Sequence, residues 1–287
     1  MILITGATGT IGREVVRQLV ERGAPIRAMT RDPARAAALG REVELVRGDF
    51  DDPGSLRAAL RGVEALFLLS APGPSISAHD VATVDAAQES GVKKLVKLSA
   101  FGADLRSRVG DWHRAGEHAV RTSGLAWTLL RPVGFASNVL QWAAAIRAGG
   151  AVPIWTGDGR QGIIDPGDVA AVAVAALTSD RHDGRIYTLT GPELLNAHDQ
   201  VAILEGALGR SIETTDVPPD RVRDQMLAAG AARELADAVF EGVSFLREGR
   251  AATLSDDVEA VLGRKPRRFE AWARENLAAF GGASGAA

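Results

Sequence analysis

The segment Gly6-Ala7-Thr8-Gly9-Thr10-Ile11-Gly12 constrains this chain more than any other feature. It follows a short apolar run, residues 2–5, and opens a stretch in which Ile11, Val15, Val16, Leu19 and Val20 recur at helical spacing until Arg22 and Gly23. Strand, glycine turn, amphipathic helix and glycine stop make a βα unit. Spaced glycines alone are common, but between a strand and a helix each has a physical task. Gly6 allows the tight turn, Gly9 removes a side chain where a pyrophosphate would approach the backbone, and Gly12 lets helix and strand pack closely. The free N–H groups at the helix start, in the stretch Thr8, Thr10, Ile11 and Gly12, then face phosphate oxygens.

The pattern continues. Strands are expected at 25–30, 43–46, 65–69, 94–98 and 127–130, separated by helices at 34–39, 55–62, 80–91 and 111–123. Short apolar strands alternating with helices imply a parallel sheet covered on both faces. The fold class is therefore α/β, a Rossmann-type doubly wound parallel sheet, with a smaller C-terminal lobe on the substrate side. After Pro132 the rhythm loosens, with helices expected at 138–148 and 169–178, strands at 163–166, 185–189 and 212–217, and helices capped by Asn196 or following Pro219, Ala231, Ser255 and Phe269. The expected organisation is a nucleotide-binding core over 1–190, a mainly helical lobe over 191–280 that roofs the cleft, and a flexible tail over 281–287, with some C-terminal segments returning to the core. A hydrophobic fraction of 46% and a charged fraction of 24% suit a globular chain of this length.

The end of the second strand decides the nucleotide. Binders of NAD place an acid there to accept from the ribose 2′-hydroxyl, and a 2′-phosphate repels that acid. This chain reads Met29-Thr30-Arg31-Asp32, so Thr30 holds the acid's place and Arg31 offers a guanidinium to a 2′-phosphate, with Arg13 able to help. NADP(H) is thus expected over NAD(H), the alternative being Asp32 as the ribose acid and Arg31 as a solvated surface charge.

Taken as a set, GATGTIG, TRDP, GDFDD, KLSAFGA, RTSGLAWTLLRP and DPGDVA resemble, in order, the NmrA-like atypical short-chain dehydrogenase/reductases, a group of NAD(P)H-binding proteins that includes azoreductase-like and quinone-reductase-like members. The resemblance spans residues 1–190 and continues loosely to Phe280. It implies that Asp49 and Phe50 border the adenine, that Leu69, Ser70 and Ala71 with Ser99, Ala100 and Phe101 line the nicotinamide ribose, and that Pro132, Val133 and Phe135 lie beside the nicotinamide. Members of the wider family use a Tyr-xxx-Lys pair, the tyrosine protonating a carbonyl oxygen. Registered on the family, this chain has Val109 at the tyrosine's place and His113 at the lysine's, and its one tyrosine, Tyr187, lies far downstream.

Two groups stand as catalytic candidates. His113 can donate a proton near neutral pH, or can simply hydrogen-bond the cofactor or backbone. Ser99, at a strand's carboxyl end, can orient a substrate oxygen or cap the turn. Glu117 reads as a packing residue or the partner of a nearby arginine. Trp112, Phe135, Trp142 and Trp155 are candidates for an apolar substrate cleft, or else core. The function expected is an NADPH-dependent reductase of a small apolar or aromatic acceptor such as a quinone, enone or ketone, because a conjugated acceptor can take hydride and collect its proton from water. The rivals are an NAD(P)-sensing regulatory protein without turnover and a cofactor-retaining isomerase or cyclase.

Cysteine is absent, which excludes disulfides, thiolate metal sites and a cysteine nucleophile. No metal site is expected, since His113 and His118 are off one helical face and the other histidines are scattered. The net charge of -3 without long charge blocks argues against nucleic-acid binding. With no basic leader and no unbroken apolar run of about eighteen residues, a soluble cytoplasmic protein is expected, monomer or homodimer, with a small-molecule substrate.

Overall fold

Runs that are apolar at every position, such as Ile2-Leu3-Ile4 and Ala65-Leu66-Phe67-Leu68, suit strands covered on both faces. In the computed structural model, which describes residues 1–105 and 108–282, both runs are buried strands. Residues 283–287 of the expected tail, and the side chain of Val109, lie outside what is described.

Along the chain β1 (Ile2–Ile4), α1 (Thr10–Glu21), β2 (Ile26–Thr30), α2 (Pro33–Ala36), β3 (Val43–Arg47), α3 (Pro53–Leu60), β4 (Ala65–Leu68), α4 (Ile76–Glu89), β5 (Lys94–Leu98), α5 (Arg108–Thr122) and β6 (Ala126–Pro132) alternate. There follow β7 (Gly134–Phe135), α6 (Ala143–Ala148), β8 (Val152–Ile154), β9 (Gln161–Ile164), α7 (Pro166–Thr178) and β10 (Arg185–Leu189). Then come β11 (Leu194–Leu195), α8 (Ala197–Leu208), β12 (Thr214–Asp216), α9 (Pro219–Ala228), α10 (Arg233–Arg247), α11 (Asp257–Leu262) and α12 (Phe269–Glu275).

Two units form. The first holds Met1–Pro132, Pro166–Thr188 and Ala260–Gly263. Its sheet has the order β10-β6-β5-β4-β1-β2-β3, and the pairings among β1 to β6 are parallel. The chain thus runs outward from β1 to β3 and restarts on the other side of β1 with β4. Such a reversal leaves a crevice at the carboxyl ends of β1 and β4, where ligands of open parallel sheets bind. Helices α3, α4 and α5 pack side by side, and α1 packs on α7. Leu3, Leu66, Leu95 and Leu129 from the strands share one buried cluster with Leu56 and Leu60 of α3, Val84 and Ala87 of α4 and Val120 of α5. Side chains on a strand alternate faces, so Lys97 and Ser99 share the face of Leu95 and meet the same helices.

The second unit holds Val133–Asp165, Leu189–Glu259 and the described residues from Arg264. Its core gathers Val139, Trp142, Ile146, Ile154, Leu204 and Phe269. Trp142 is 6% exposed within that cluster, so packing accounts for it and it leaves the set of substrate-facing aromatics. Asn196 caps α8 in a reciprocal box with Asp199.

Three expectations are corrected. The division is not a single cut at residue 190, because residues 133–165 pack in the second unit while 166–188 and 260–263 belong to the first. The helix expected over 138–148 is a 3-10 turn, Ala136–Trp142, followed by α6. Helix α4 begins at Ile76 rather than at 80, which carries Asp80 inside the helix and out of solvent.

Candidate active site

The glycine turn has the shape its sequence demands. Gly6 sits at φ +62, and a Cβ there would lie 2.8 Å from Leu69 Cγ. At Gly12 a Cβ would lie 2.1 Å from the carbonyl oxygen of Gly6. Thr5 ties the ends of β1 and β4 together: its Oγ1 donates towards the carbonyls of Phe67 and Leu69 and accepts from the N–H of Leu69 at 2.8 Å. Gly9 is the N-cap of α1, with no side-chain acceptor and no acid in the first turn. By contrast Asp32 caps α2 and Asp52 caps α3. The chain satisfies those helix starts with carboxylates and leaves the one at the crevice open to an anion, which is the arrangement a dinucleotide pyrophosphate fits.

Just past β2, Thr30 Oγ1 accepts from the N–H of Asp32, and Asp32 Oδ1 accepts from the N–H of Ala34 at 3.1 Å. The Asp32 carboxylate is therefore occupied as a cap. Arg31 and Arg13 are exposed, and neither side chain has an ion pair among the described residues. Farther along, Asp49 accepts from the N–H of Asp51, and the half-buried Phe50 stacks on His79 at 5.0 Å between ring centroids. His79 in turn meets Asp51 Oδ1 at 3.1 Å. His79 and Asp51 carried no signal in the sequence, because their pairing depends on α4 crossing beside the turn after β3.

The turn Leu69, Ser70, Ala71 follows β4, and Ser70 Oγ donates to Asp80 Oδ1 at 2.7 Å. Asp80 also pairs with Lys97, and both are fully buried. After β5 the chain passes through Ser99, Ala100 and Phe101, held to the neighbouring strand by N–H bonds from Ser99 to Leu130 and from Phe101 to Pro132. Ser99 Oγ donates to Glu117 Oε1 at 2.6 Å, and Arg131 grips both oxygens of Glu117 at 2.9 and 2.6 Å. The Ser99 proton is thus committed to Glu117. Glu117 does pair with an arginine, but across to β6 rather than along its own helix.

His113 and Trp112 sit half-buried in α5, one turn before Gly116 and Glu117. The His113 Nδ1 atom is buried without a hydrogen-bond partner among the described residues, an open polar atom on the helix that carries Glu117. Val133 and Phe135 belong to the second unit, where Val133 donates to the Leu189 carbonyl and Phe135 lies in β7. Trp155 is also there, half-buried, its carbonyl held by Arg247 at 2.9 Å.

Burial first, and the positive charge of Lys97 second, push the His113 imidazole down to about 3 from 6.5. Of the neutral and protonated rings, the fold thus favours the neutral one, with its single N–H, at neutral pH. A depressed value means that the fold prefers the neutral form. Its contribution to stability is then complete above pH 6.5 and is lost as the pH falls towards 3, by up to about 1.4 kcal/mol per unit. Thermal melts of His113→Asn should accordingly fall less steeply than wild type across that acid range, and parallel curves would remove His113 from the effect. The same value predicts that the rate of reduction shows no break from His113 between about pH 5 and 8.

Residues 6–180 match the family described as NAD(P)H-binding. The chain is 40% identical over 283 residues to a (4-alkanoyl-5-oxo-2,5-dihydrofuran-3-yl)methyl phosphate reductase of Streptomyces griseus, covering 98% of this chain and 99% of that one. The chain belongs to the NAD(P)H-binding family. It is also 37% identical to the NAD(P)H azoreductase of Xenophilus azovorans, covering 99% of this chain and all of that protein. Its fold matches the NADPH-dependent quinone oxidoreductase of Escherichia coli solved with NADPH, at a TM-score of 0.84 and 27% identity over 95% of this chain and 98% of that one. These likenesses agree with the resemblance to NmrA-like atypical short-chain dehydrogenase/reductases, and the protein is an NAD(P)H-binding oxidoreductase. Among the described residues, no helix is long and apolar enough to cross a membrane and no cluster of three metal-ligating side chains occurs.

Proposed function

We propose that the protein is an NADPH-dependent reductase of a small conjugated acceptor, a quinone, enone or aromatic ketone, working without a Tyr-xxx-Lys pair. The observation that carries this reading is the uncapped glycine-rich start of α1 at the β1/β4 crevice, with an unpaired Arg31 just past β2. The open N–H groups from Thr10 to Gly12 hold the pyrophosphate, with Thr8 beside it. Arg31, helped by Arg13, pairs with the 2′-phosphate, and Phe50 flanks the adenine. The turns at Leu69 to Ala71 and Ser99 to Phe101, with Pro132, hold the ribose and nicotinamide.

When bound, the reduced nicotinamide supplies a hydride. The chain's own task is then orientation and exclusion of water, which suits acceptors that take hydride at carbon or a quinoid atom and collect a proton from solvent. Neutral His113 orients an acceptor or ribose oxygen through its N–H, and Trp112 beside it offers an apolar face. The names of the similar proteins, which denote a dihydrofuran-bearing phosphate, an azo compound and a quinone, support an acceptor of this class.

The test is single-turnover mixing of the NADPH complex with a quinone, an unsaturated ketone and an aryl ketone, following loss of the reduced-nicotinamide absorbance. Bound NADPH that is never oxidised by any of them overturns the reading. For the cofactor, Arg31→Ala should weaken NADPH by roughly 10- to 150-fold, the worth of one charge-assisted contact, and leave NADH unchanged. Equal losses for both nucleotides would place Arg31 elsewhere than at the 2′-phosphate.

A further inference from the structure

A lysine with no exposed surface in the middle of a sheet is costly, and Lys97 of β5 is such a residue. Its partner, Asp80 of α4, is fully buried as well. A buried ion pair is a poor source of stability, since well-packed apolar side chains of similar volume do as well or better. The pair therefore calls for another explanation, and its contacts supply one. The second oxygen of Asp80 accepts from Ser70 Oγ at 2.7 Å, in the turn after β4. On its other side Asp80 meets α5 at Gly116, where a Cβ would lie 2.3 Å from Asp80 Oδ2. The missing side chain lets the helix bring its backbone onto the carboxylate. His113 precedes Gly116 by one helical turn.

We propose that Asp80 and Lys97 are positioning residues for the nicotinamide end of the site: one buried ion pair fixes both the Ser70 turn and the helix that carries His113. The inference rests on the reductase reading, in that those two segments flank the reacting end of the cofactor. Asp80 sets distance, through Ser70 on one side and Gly116 on the other. Lys97 holds the carboxylate in place, and its charge opposes protonation of His113. Neither side chain needs to touch cofactor or substrate.

The test is the doubly apolar variant Lys97→Met/Asp80→Leu, compared with wild type in thermal melting, NADPH affinity, single-turnover rate and the NMR titration of the His113 ring. A merely structural pair predicts a folded variant with wild-type affinity and rate, and that result overturns the proposal. The expected result is a folded variant whose hydride-transfer rate is reduced roughly 10- to 100-fold by misplacement of the reacting groups. Its NADPH affinity is weakened, and its His113 titrates above the wild-type value of about 3. Should the double variant not fold, Gly116→Ala decides by NADPH affinity and rate, because its added Cβ displaces Asp80 while keeping both charges. Should wild type reduce no acceptor, NADPH affinity still decides the positioning role, while the reductase reading falls separately.

Discussion

Replacing Gly12 by alanine is expected to weaken NADPH by about 100-fold or more and to destabilise the protein by about 1–3 kcal/mol, the usual cost of overpacking. The added Cβ would stand 2.1 Å from Gly6 O, 2.7 Å from Gly6 C and 2.8 Å from Ala7 Cα. All three are backbone atoms of the turn itself, so no rotamer change relieves the clash. Helix α1 must move off the end of β1, and its first turn is the proposed phosphate site. Gly9→Ala separates the two effects. Its Cβ would lie 3.4 Å from Gly6 O, near ordinary contact, so the protein without nucleotide should melt almost as wild type while NADPH affinity falls. Such a contrast would assign the space at Gly9 to a ligand and the space at Gly12 to the fold. Melting curves with and without NADPH, together with a fluorescence titration of the nucleotide, check both statements, and a Gly12→Ala protein with wild-type affinity would refute the first.

That contrast also shows what kind of information the sequence carried. The strands β1 to β6 and the glycine turn were legible because their causes are local: continuous apolar runs mark doubly covered strands, and each glycine of the turn has a task within a few residues of itself. Asp32 was weighed only as a ribose acid, although an aspartate before Pro33 at a helix start is first a cap. The departure of residues 133–165 into the second unit was not legible, because β7 and β8 are two- and three-residue strands whose partners lie far along the chain. Trp142 shows the limit of reading aromatics, since hydrophobicity alone does not separate core from cleft. Lys97 did leave a trace, a cation inside the apolar run of β5, which demands a buried anion. Nothing in the run says that the anion is Asp80, on a helix whose start was misplaced. His113 was located by register with the family, but its protonation state depends on burial and on Lys97, both of which are properties of the fold.

The second large effect is expected at Arg131. Glu117 and Arg131 have side chains only 7% and 12% exposed, and the guanidinium grips the carboxylate through two nitrogens. Glu117, foremost, and Asp104 raise the arginine still further above its usual range, so the cation is present at every working pH. Arg131→Met keeps the length and apolar stem but leaves the Glu117 charge buried with only the Ser99 hydroxyl as partner. Breaking a buried pair from one side costs about 3–5 kcal/mol, a large share of the roughly 5–15 kcal/mol that holds a domain folded. The bond from Arg131 to Asp104, 2.9 Å long, is also lost, but Asp104 is 63% exposed and that pair contributes little. The cost should therefore reside in Glu117, and Glu117→Gln added to Arg131→Met should recover part of it, because an amide leaves no unpaired charge and still accepts from Ser99. Denaturant unfolding of the two variants measures the recovery. If Arg131→Met unfolds at the wild-type midpoint, the carboxylate is not buried in the way its contacts require. If the double variant is no better than the single one, the loss lies in the segment around Phe101 that Arg131 holds through Asp104, and cofactor affinity rather than stability is where the defect should then be sought.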